Sequence, residues 1–200
     1  DPALSPQKNA AKYFKDYKKS HTAEQTLTEL TRRDEQELIY FDSVLESISR
    51  SSTKAEIAEI REELTAGGYL KAPASKPKKA QTPVLREYRS AEGYRIIVGK
   101  NNRQNDYITT TLAAKNDLWF HTKNIPGSHV VVMCGGKDVS DETLIYAATL
   151  AAENSGAAAG AQVPVDYTPV KFVKKPNGAK PGMVIYTTNK TLYVTPNNRG

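Results

Sequence analysis

The first third of the chain carries the hydrophobic periodicity of helices. Over residues 7–65, apolar side chains recur at intervals of three and four positions, as on one face of a helix. The clearest part of this stripe consists of Leu38, Phe41, Leu45 and Ile48. Such intervals are typical of the packing seam of a helical hairpin or coiled coil. We therefore expect residues 1–70 to form an antiparallel helical, coiled-coil arm.

The helical pattern is interrupted at Ser51-Ser52-Thr53. Thr53 is a favourable N-cap for a second helix because Glu56 follows three residues later, which is the spacing of a capping box. This second helix is expected to end at Gly67-Gly68, since glycine readily adopts the backbone conformations that terminate helices. The pattern thus predicts two helices joined by a short break.

A lysine- and proline-rich stretch follows the helices. Residues 71–84 include KAPASKPKKAQTP, which contains three prolines and four lysines but no acidic residue. This composition cannot form a core and is typical of an extended linker. We predict a basic linker over residues 71–84.

From residue 85 onward, short apolar segments alternate with turn residues, as in a sheet-containing domain. The predicted strands are Leu85–Ser90, Tyr94–Val98, Leu118–His121, Ser128–Met133, Val170–Val173, Met183–Thr187 and Thr191–Val194. Two helices are expected between them, one over Tyr107–Ala114 capped by Asn105-Asp106 and one beginning after Ser140. Several strands with two helices predict a compact mixed domain over residues 85–200, so the expected fold class is α+β.

The stretch DLWFHTKNIPGSHVVV contains the only tryptophan of the chain. Side chains alternate along a strand, so Leu118 and Phe120 are expected to face the core while Asp117, Trp119 and His121 share the outer face. Pro126-Gly127 suits a type II turn that returns the chain and brings His129 towards His121. Two interpretations remain open. The residues either cover a sheet edge by ordinary packing or hold a nucleobase or sugar through stacking and hydrogen bonds.

Two further segments combine cations with turn residues. The first, GKNNRQND, offers candidate phosphate, base and sugar contacts from Lys100, Asn101, Asn102, Arg103, Gln104 and Asn105. The second, VKFVKKPNGAKPG, offers phosphate contacts from Lys171, Lys174 and Lys175. Each segment also has an ordinary alternative, because amide-rich turns and solvated lysine loops are common.

The charge distribution favours a polyanionic partner. The chain has a net charge of +6, but residues 1–70 carry ten Lys and Arg against thirteen Asp and Glu. Residues 71–200 carry eighteen against nine, a net charge of +9. This asymmetry indicates nucleic acid binding by the second part. The longest apolar run is far shorter than the ~20 residues that cross a bilayer, so membrane insertion is not expected.

The residues do not assemble a recognisable enzyme or metal site. In CGGKDVS, Asp138 stands where a phosphate-binding loop requires Ser or Thr after Gly-Lys. His121, His129 and Cys134 lack the close spacings of structural zinc ligands, and no nucleophile with a partner base is evident. We therefore expect neither catalytic residues nor a metal or other cofactor. Cys134 is the only cysteine and is expected to be a small core residue.

Motifs along nearly the whole chain resemble the NFACT family. YFDSVLESI and EIREELTAGGYLK are similar to its middle coiled-coil segment, whereas GYRIIVGKNNRQNDYIT, DLWFHTKNIPGSHVVV and VPVDYTPVKFVKKPNGAKPGMVIY are similar to its C-terminal RNA-binding domain. The family's Asp-x-Trp-x-His signature falls on Asp117, Trp119 and His121. Its Pro-Gly-Ser-His turn falls on Pro126 to His129.

The resemblance implies a non-enzymatic, cytoplasmic ribosome quality-control factor. Its expected partners are the large ribosomal subunit obstructed by peptidyl-tRNA, ribosomal RNA and transfer RNA, including alanyl-tRNA. The expected role is to support untemplated addition of alanines to the stalled nascent chain. Family members have also been described as fibronectin/fibrinogen-binding proteins. A surface adhesin that binds host fibronectin or fibrinogen is therefore the alternative, and cell-surface exposure is left open, although the sequence shows no adhesin repeats.

Overall fold

The computed structural model describes residues 1–72 and 84–196. Residues 73–83 of the predicted linker lie outside this part of the chain. The chain divides into two compact units, Asp1–Ile39 and Tyr40–Gly200. The first unit is helical from Pro6 onward, and the second contains the mixed helices and strands that give the chain its α+β fold.

Helix α1 (Pro6–Ser49) is followed by helix α2 (Lys54–Ala66), as the interrupted pattern predicted. The predicted capping box is present, because the Thr53 hydroxyl accepts a hydrogen bond from the Glu56 backbone N–H at 3.2 Å. The Glu56 carboxylate in turn accepts from the Thr53 N–H at 3.3 Å. Gly67 ends α2 and donates to backbone carbonyls of the last turn. Both ends of α2 are therefore fixed by local sequence.

The predicted packing seam of α1 is wrong except for Phe41, which is half-buried and packs against a small core shared with α2. Leu45 and Ile48 of the second unit are exposed, as is Leu38 of the first. The buried face over this part of α1 consists instead of Tyr40, Ser43, Val44 and Ser47. The hydrophobic pattern does not include the two serines because they are polar. Each serine hydroxyl donates a hydrogen bond to a carbonyl of its own helix, so it has a partner although it is buried.

Tyr40 and Val44 pack with Ile60 of α2 in a small core of their own. The Tyr40 hydroxyl donates to the Glu63 carboxylate at 2.8 Å. Burial raises the pKa of Glu63, and burial with the Glu63 hydrogen bond raises the pKa of Tyr40 above its ordinary range. The end of α1 therefore joins α2 through a buried polar contact as well as apolar packing.

The rest of the described chain contains eight strands and two further helices, and most of the strands belong to one large sheet. The strands are β1 (Arg86–Arg89), β2 (Arg95–Val98), β3 (Leu118–Thr122), β4 (Val130–Val132), β5 (Val163–Pro169), β6 (Val173–Lys174), β7 (Ile185–Tyr186) and β8 (Lys190–Val194). Six of them form an antiparallel sheet in the order β1-β2-β4-β3-β5-β8, and β6 pairs with β7. The helices are α3 (Asn102–Tyr107), which continues into a π-helical turn over Ile108–Leu112, and α4 (Asp141–Glu153).

The central strands of the large sheet are covered on both faces, whereas the edge strands β1 and β8 retain exposed positions. On one face, α4 packs its alanines against Phe120, Val130 and Val132, because small side chains allow close approach of helix and sheet. On the opposite face, a second core contains Ile97, Ile108, Trp119, Val131 and Val170. The unbroken Val130–Val132 run of β4 follows from this arrangement, since a strand covered on both faces needs apolar side chains at every position.

Several predicted elements are confirmed and others are corrected. The β1–β2 hairpin, β3, β8 and the Ser140 cap of α4 agree with the sequence. Predicted strand Val170–Val173 is mostly a 3-10 turn, and α3 is capped by Asn101 rather than by Asn105. Strand β5 was missed because prolines lack the N–H of a ladder, yet here Pro164 and Pro169 lie near its ends.

Candidate nucleic-acid interface

The structure brings the predicted aromatic group together. The Trp119 and His121 rings stack with centroids 5.7 Å apart, and the His129 ring meets Trp119 edge-on at 5.1 Å. The two imidazoles are perpendicular with centroids 5.4 Å apart. Strands β3 and β4 pair antiparallel, which is how the chain returns His129 to this position. The predicted convergence of these three rings is confirmed.

The connection between β3 and β4 differs from the predicted type II turn. Gly127 does not have the positive φ that such a turn requires, whereas Asn124 is left-handed with φ 57°. Glycine is needed at position 127 for space instead, because a Cβ there would lie 2.7 Å from the Ser155 Cβ. The Pro-Gly-Ser-His turn thus serves a close approach between the loop and the end of α4.

The predicted outer face is an interior face. Trp119 is 0% exposed and His129 is 2% exposed. Tyr186 covers the indole with ring centroids 4.9 Å apart, and the π-helical turn contributes Ile108 and Thr109 to the same layer. Trp119 therefore cannot offer a free face for base stacking. Strand alternation correctly assigned the shared face, but a second packed layer lies over it, so the packing interpretation is the correct one for Trp119.

The environment of the two imidazoles disfavours their charged form. Burial lowers the pKa of His121 to about 4, although this side chain keeps a small exposed fraction. Burial also holds the pKa of His129 well below its ordinary value, and the nearby His121 adds to this effect. His129 Nδ1 lies 2.8 Å from the Thr109 hydroxyl. His129 is therefore a core histidine whose ring has a hydrogen-bond partner.

Asp117 is also buried, contrary to the predicted outward orientation. One carboxylate oxygen accepts a hydrogen bond from the Ala114 N–H at 2.7 Å, and the other accepts from the Gly135 N–H at 2.7 Å. The side chain therefore joins the turn before β3 to the turn after β4. In this chain, Asp117 therefore has a structural role.

The predicted amide-rich RNA loop is a buried contact with α2. Asn101, Asn102, Gln104 and Asn105 are all buried. The Glu59 carboxylate of α2 accepts from Asn101 at 2.7 Å and from Gln104 at 2.8 Å. The expectation that these amides are available to bases is wrong, because acceptors distant in sequence already occupy them.

Asn102 and Asn105 make the remaining amide contacts. Asn102 donates to the Ser43 hydroxyl at 2.9 Å and to the Glu63 carboxylate at 3.2 Å. The Asn105 amide donates to the Gly127 carbonyl, and its oxygen accepts from the His129 N–H at 2.9 Å. Both side chains therefore hold the fold together.

The two cations of this loop are paired with glutamates of α2. Lys100 lies 2.7 Å from the Glu56 carboxylate, and Arg103 lies 2.8 Å from that of Glu62. The Lys100 hydrogen bond is the main reason that the pKa of Glu56 is lowered to about 2. The acidic helix thus neutralises a basic segment that the sequence predicted to contact RNA.

The lysine segment retains accessible charge. Lys171 and Lys174 are exposed, whereas Lys175 forms an ion pair with Asp106. The Lys171 Nζ donates to the Asn116 side-chain oxygen at 3.5 Å. Lys115 lies beside it, because the Lys171 N–H donates to the Lys115 carbonyl at 2.9 Å. Neither Lys115 nor Asn116 is predicted from the sequence, since single residues in a turn carry no periodic signal.

Two protein-family models match consecutive parts of the chain. Residues 1–83 match the model of the NFACT N-terminal and middle domains, and residues 85–187 match that of the NFACT protein RNA binding domain. The chain belongs to the NFACT family. The resemblance inferred from its motifs is therefore confirmed.

Similar proteins match over nearly the whole NFACT chain. It is 46% identical to the Rqc2 homolog RqcH of Bacillus subtilis (strain 168), over 98% of this chain and 34% of that protein. It is 43% identical to the Rqc2 homolog RqcH of Streptococcus pneumoniae serotype 2, over 100% of this chain and 36% of that protein. The chain thus spans about a third of the length of these relatives.

A solved structure has the same fold. It is the C-terminal part of the fibronectin/fibrinogen-binding protein from Streptococcus suis, with a TM-score of 0.88 and 43% identity. The match covers 96% of the NFACT chain and 77% of that structure. Because identity and structural similarity are both high, the α+β arrangement described above is shared with that protein.

We also searched the described residues for metal sites and membrane-spanning helices. Among the residues that the structure describes, no three His, Cys, Asp or Glu side chains converge closely enough to hold a metal ion. Within residues 1–72 and 84–196, no helix combines the length and the apolar character needed to cross a membrane.

Proposed function

We propose that this chain is the RNA-binding part of a ribosome quality-control factor. The observation that carries the proposal is the match of residues 85–187 to the NFACT protein RNA binding domain. Relatives named Rqc2 homolog RqcH, at 43% and 46% identity over essentially the whole chain, support the ribosomal role. Residues 85–200 carry fourteen Lys and Arg against nine Asp and Glu, which suits a polyanionic partner.

In its full form, the proposed activity is recognition of large ribosomal subunits obstructed by peptidyl-tRNA. The factor contacts ribosomal RNA and transfer RNA, and it supports untemplated addition of alanines to the stalled chain. It acts in the cytoplasm by binding and positioning RNA, while peptide bond formation belongs to the ribosome. The resemblance to the family supports this activity, and the remaining two thirds of the relatives' length is expected to contribute to it.

The buried signature and the exposed lysines have different tasks in this proposal. Asp117, Trp119 and His129 are each at most 2% exposed, so they stabilise the fold from within. We call these three buried residues the frame. Lysines on the surface of the frame, including Lys171 and Lys174, supply the positive charge that contacts phosphates. Affinity for RNA is therefore expected to fall as salt rises, because counterions compete for the phosphates.

The proposal is tested by titrating a fluorescently labelled transfer RNA or ribosomal RNA fragment with the chain at several salt concentrations. We expect the logarithm of the association constant to fall linearly with the logarithm of salt concentration. A chain in which Lys171 and Lys174 are replaced by glutamine should show a shallower slope, by about one unit for each lysine that binds a phosphate in the unmodified chain. Affinity that is independent of salt would contradict the proposal.

Binding to fibronectin or fibrinogen is the competing function, because the similar Streptococcus suis protein carries that name. The two functions are separated by comparing co-sedimentation with purified large ribosomal subunits against retention on immobilised fibronectin at physiological salt. Ribosomal association with salt-sensitive matrix retention supports the RNA-binding role. Matrix retention that survives high salt, without ribosomal association, supports the adhesin role instead.

A further inference from the structure

We propose that Lys115, Asn116, Lys137 and Lys171 form a single RNA phosphate-binding surface, here called the lysine surface. It rests on the proposed RNA-binding function and assigns that function to a defined place on the domain. The four residues come from three segments that are distant in sequence, and backbone and side-chain contacts between these segments bring the segments together.

Lys115 and Lys171 are joined through their backbones. The Lys171 N–H donates to the Lys115 carbonyl at 2.9 Å, and the Val170 N–H donates to the Asp117 carbonyl at 2.9 Å. The chain after β5 therefore runs alongside the turn before β3. The Lys171 ammonium reaches the Asn116 amide oxygen at 3.5 Å, which places an ammonium and an amide side by side.

The turn that carries Lys137 contacts the same amide. A Cβ built on Gly136 would lie 3.0 Å from the Asn116 Cβ, so the two turns touch at this point. Gly136 has φ 85°, a conformation that favours glycine. The Cys134 thiol also donates to the Asn116 carbonyl at 3.5 Å.

Asp117 fixes these two turns beneath the lysine surface. Its carboxylate accepts from the N–H of Ala114 in one turn and of Gly135 in the other, each at 2.7 Å. The carboxylate is itself 2% exposed, so it holds the turns without presenting negative charge to a ligand. The buried acid of the family signature therefore has a direct structural connection to the exposed cations.

The charge of the lysine surface is accessible. Lys115, Lys137 and Lys171 are all exposed, and none of them forms an ion pair with another residue in the described part of the chain. Lys100 and Arg103, by contrast, are paired with glutamates of α2. The lysine surface therefore offers more unpaired positive charge to phosphates than the segment with Lys100 and Arg103, which the sequence predicted to contact RNA.

The chemistry of the surface fits a nucleic-acid backbone. Three ammonium groups provide the sequence-independent attraction to phosphates, and the Asn116 amide can bond a ribose hydroxyl or a base edge. Asp138 is an exposed carboxylate next to Lys137, so the cations outnumber the exposed acids on these turns. An RNA partner follows from this charge together with the family of the domain.

The test compares two triple variants of the 200-residue chain with the same loss of charge. One is K115Q/K137Q/K171Q, and the control is K54Q/R61Q/K190Q, whose three positions are also exposed. Affinity for labelled transfer RNA and for purified large subunits is measured over a range of salt concentrations. Thermal unfolding and Trp119 fluorescence, which reports on the buried core beneath, confirm that both variants are folded.

We expect the lysine-surface variant to bind RNA at least about tenfold more weakly and its salt slope to fall by about three, one for each lysine removed from a phosphate. The control should lose less than about threefold, because it changes only the long-range field. Equal losses in both variants, or no loss in either, would overturn the assignment. Loss of subunit binding with unchanged affinity for naked RNA would indicate an acidic protein partner and overturn it as well.

The unmodified chain shows whether the proposed RNA-binding function itself is wrong. If the unmodified chain binds neither transfer RNA nor large subunits at low salt, the proposed RNA-binding function is refuted and the lysine surface with it. If the unmodified chain binds and only the comparison between the variants fails, the function stands and the location is wrong.

Discussion

Replacing Trp119 with alanine should unfold the domain more readily rather than remove an RNA contact. The indole is 0% exposed and packs within 4.9 Å of the Tyr186 ring and 5.1 Å of the His129 ring, measured between centroids. Truncation of a fully buried tryptophan removes its apolar burial and leaves a cavity, which costs about 3–5 kcal/mol. This is a large part of the roughly 5–15 kcal/mol that stabilises an ordinary domain. For a domain of this size, the midpoint of thermal unfolding should fall by about 6–20 °C.

The assay is urea unfolding followed by far-ultraviolet circular dichroism, because Trp119→Ala removes the only tryptophan and with it the intrinsic fluorescence signal. Trp119→Phe is the matched control and should lose less stability, since the indole N–H has no hydrogen-bond partner among the described residues. RNA affinity of the alanine variant, measured well below its unfolding midpoint, should match that of the unmodified chain. A folding free energy within about 0.5 kcal/mol of the unmodified value, together with a loss of RNA affinity, would refute the core assignment.

Two further predictions concern buried ionisable groups. Because the pKa of His121 is about 4 in the fold and near its ordinary 6.5 when unfolded, the unfolded state binds the proton first. Stability should therefore fall by about 3 kcal/mol as pH drops from about 6.5 to 4, with a further loss from His129. Urea unfolding at pH 7.5, 6, 5 and 4 measures this loss, and a His121→Gln variant with undiminished pH dependence would contradict it. Asp117→Ala should cost roughly 2–4 kcal/mol because two backbone N–H groups lose their acceptor, whereas unchanged stability would show that the two turns do not need it.

The local features of this fold could be predicted from sequence. The capping box of Thr53 and Glu56 and the Ser140 cap of α4 follow from residues within one helical turn. Strand alternation also correctly grouped Trp119 with His121. These predictions succeeded because the determining contacts are between neighbours in the sequence.

The environment of the candidate site could not be predicted in the same way. Whether the Trp119 face meets water depends on Tyr186, a residue far along the chain. The availability of Lys100 depends on Glu56 of α2, which the sequence separates from it by the linker. Alternation and composition contain no information about such long-range pairing, so they overestimated the exposure of these side chains.

The same limit explains why the lysine surface was overlooked. Lys115 and Lys137 are single cations in separate turns, and only the contacts of Asn116 and Asp117 show that these turns are adjacent. Lys171, by contrast, belongs to a run of lysines that the sequence alone predicts to contact phosphates. A surface assembled from several turns becomes evident only when the fold is known.

We propose above that the domain holds ribosomal RNA through exposed charge, with buried residues supporting the turns that carry that charge. Its most direct test is co-sedimentation of the chain with purified large ribosomal subunits over increasing salt, with immobilised fibronectin as the parallel surface. We expect sedimentation with the subunits at low salt and progressive release as salt rises. A chain that fails to sediment with large subunits at low salt, yet remains on fibronectin at high salt, would contradict it.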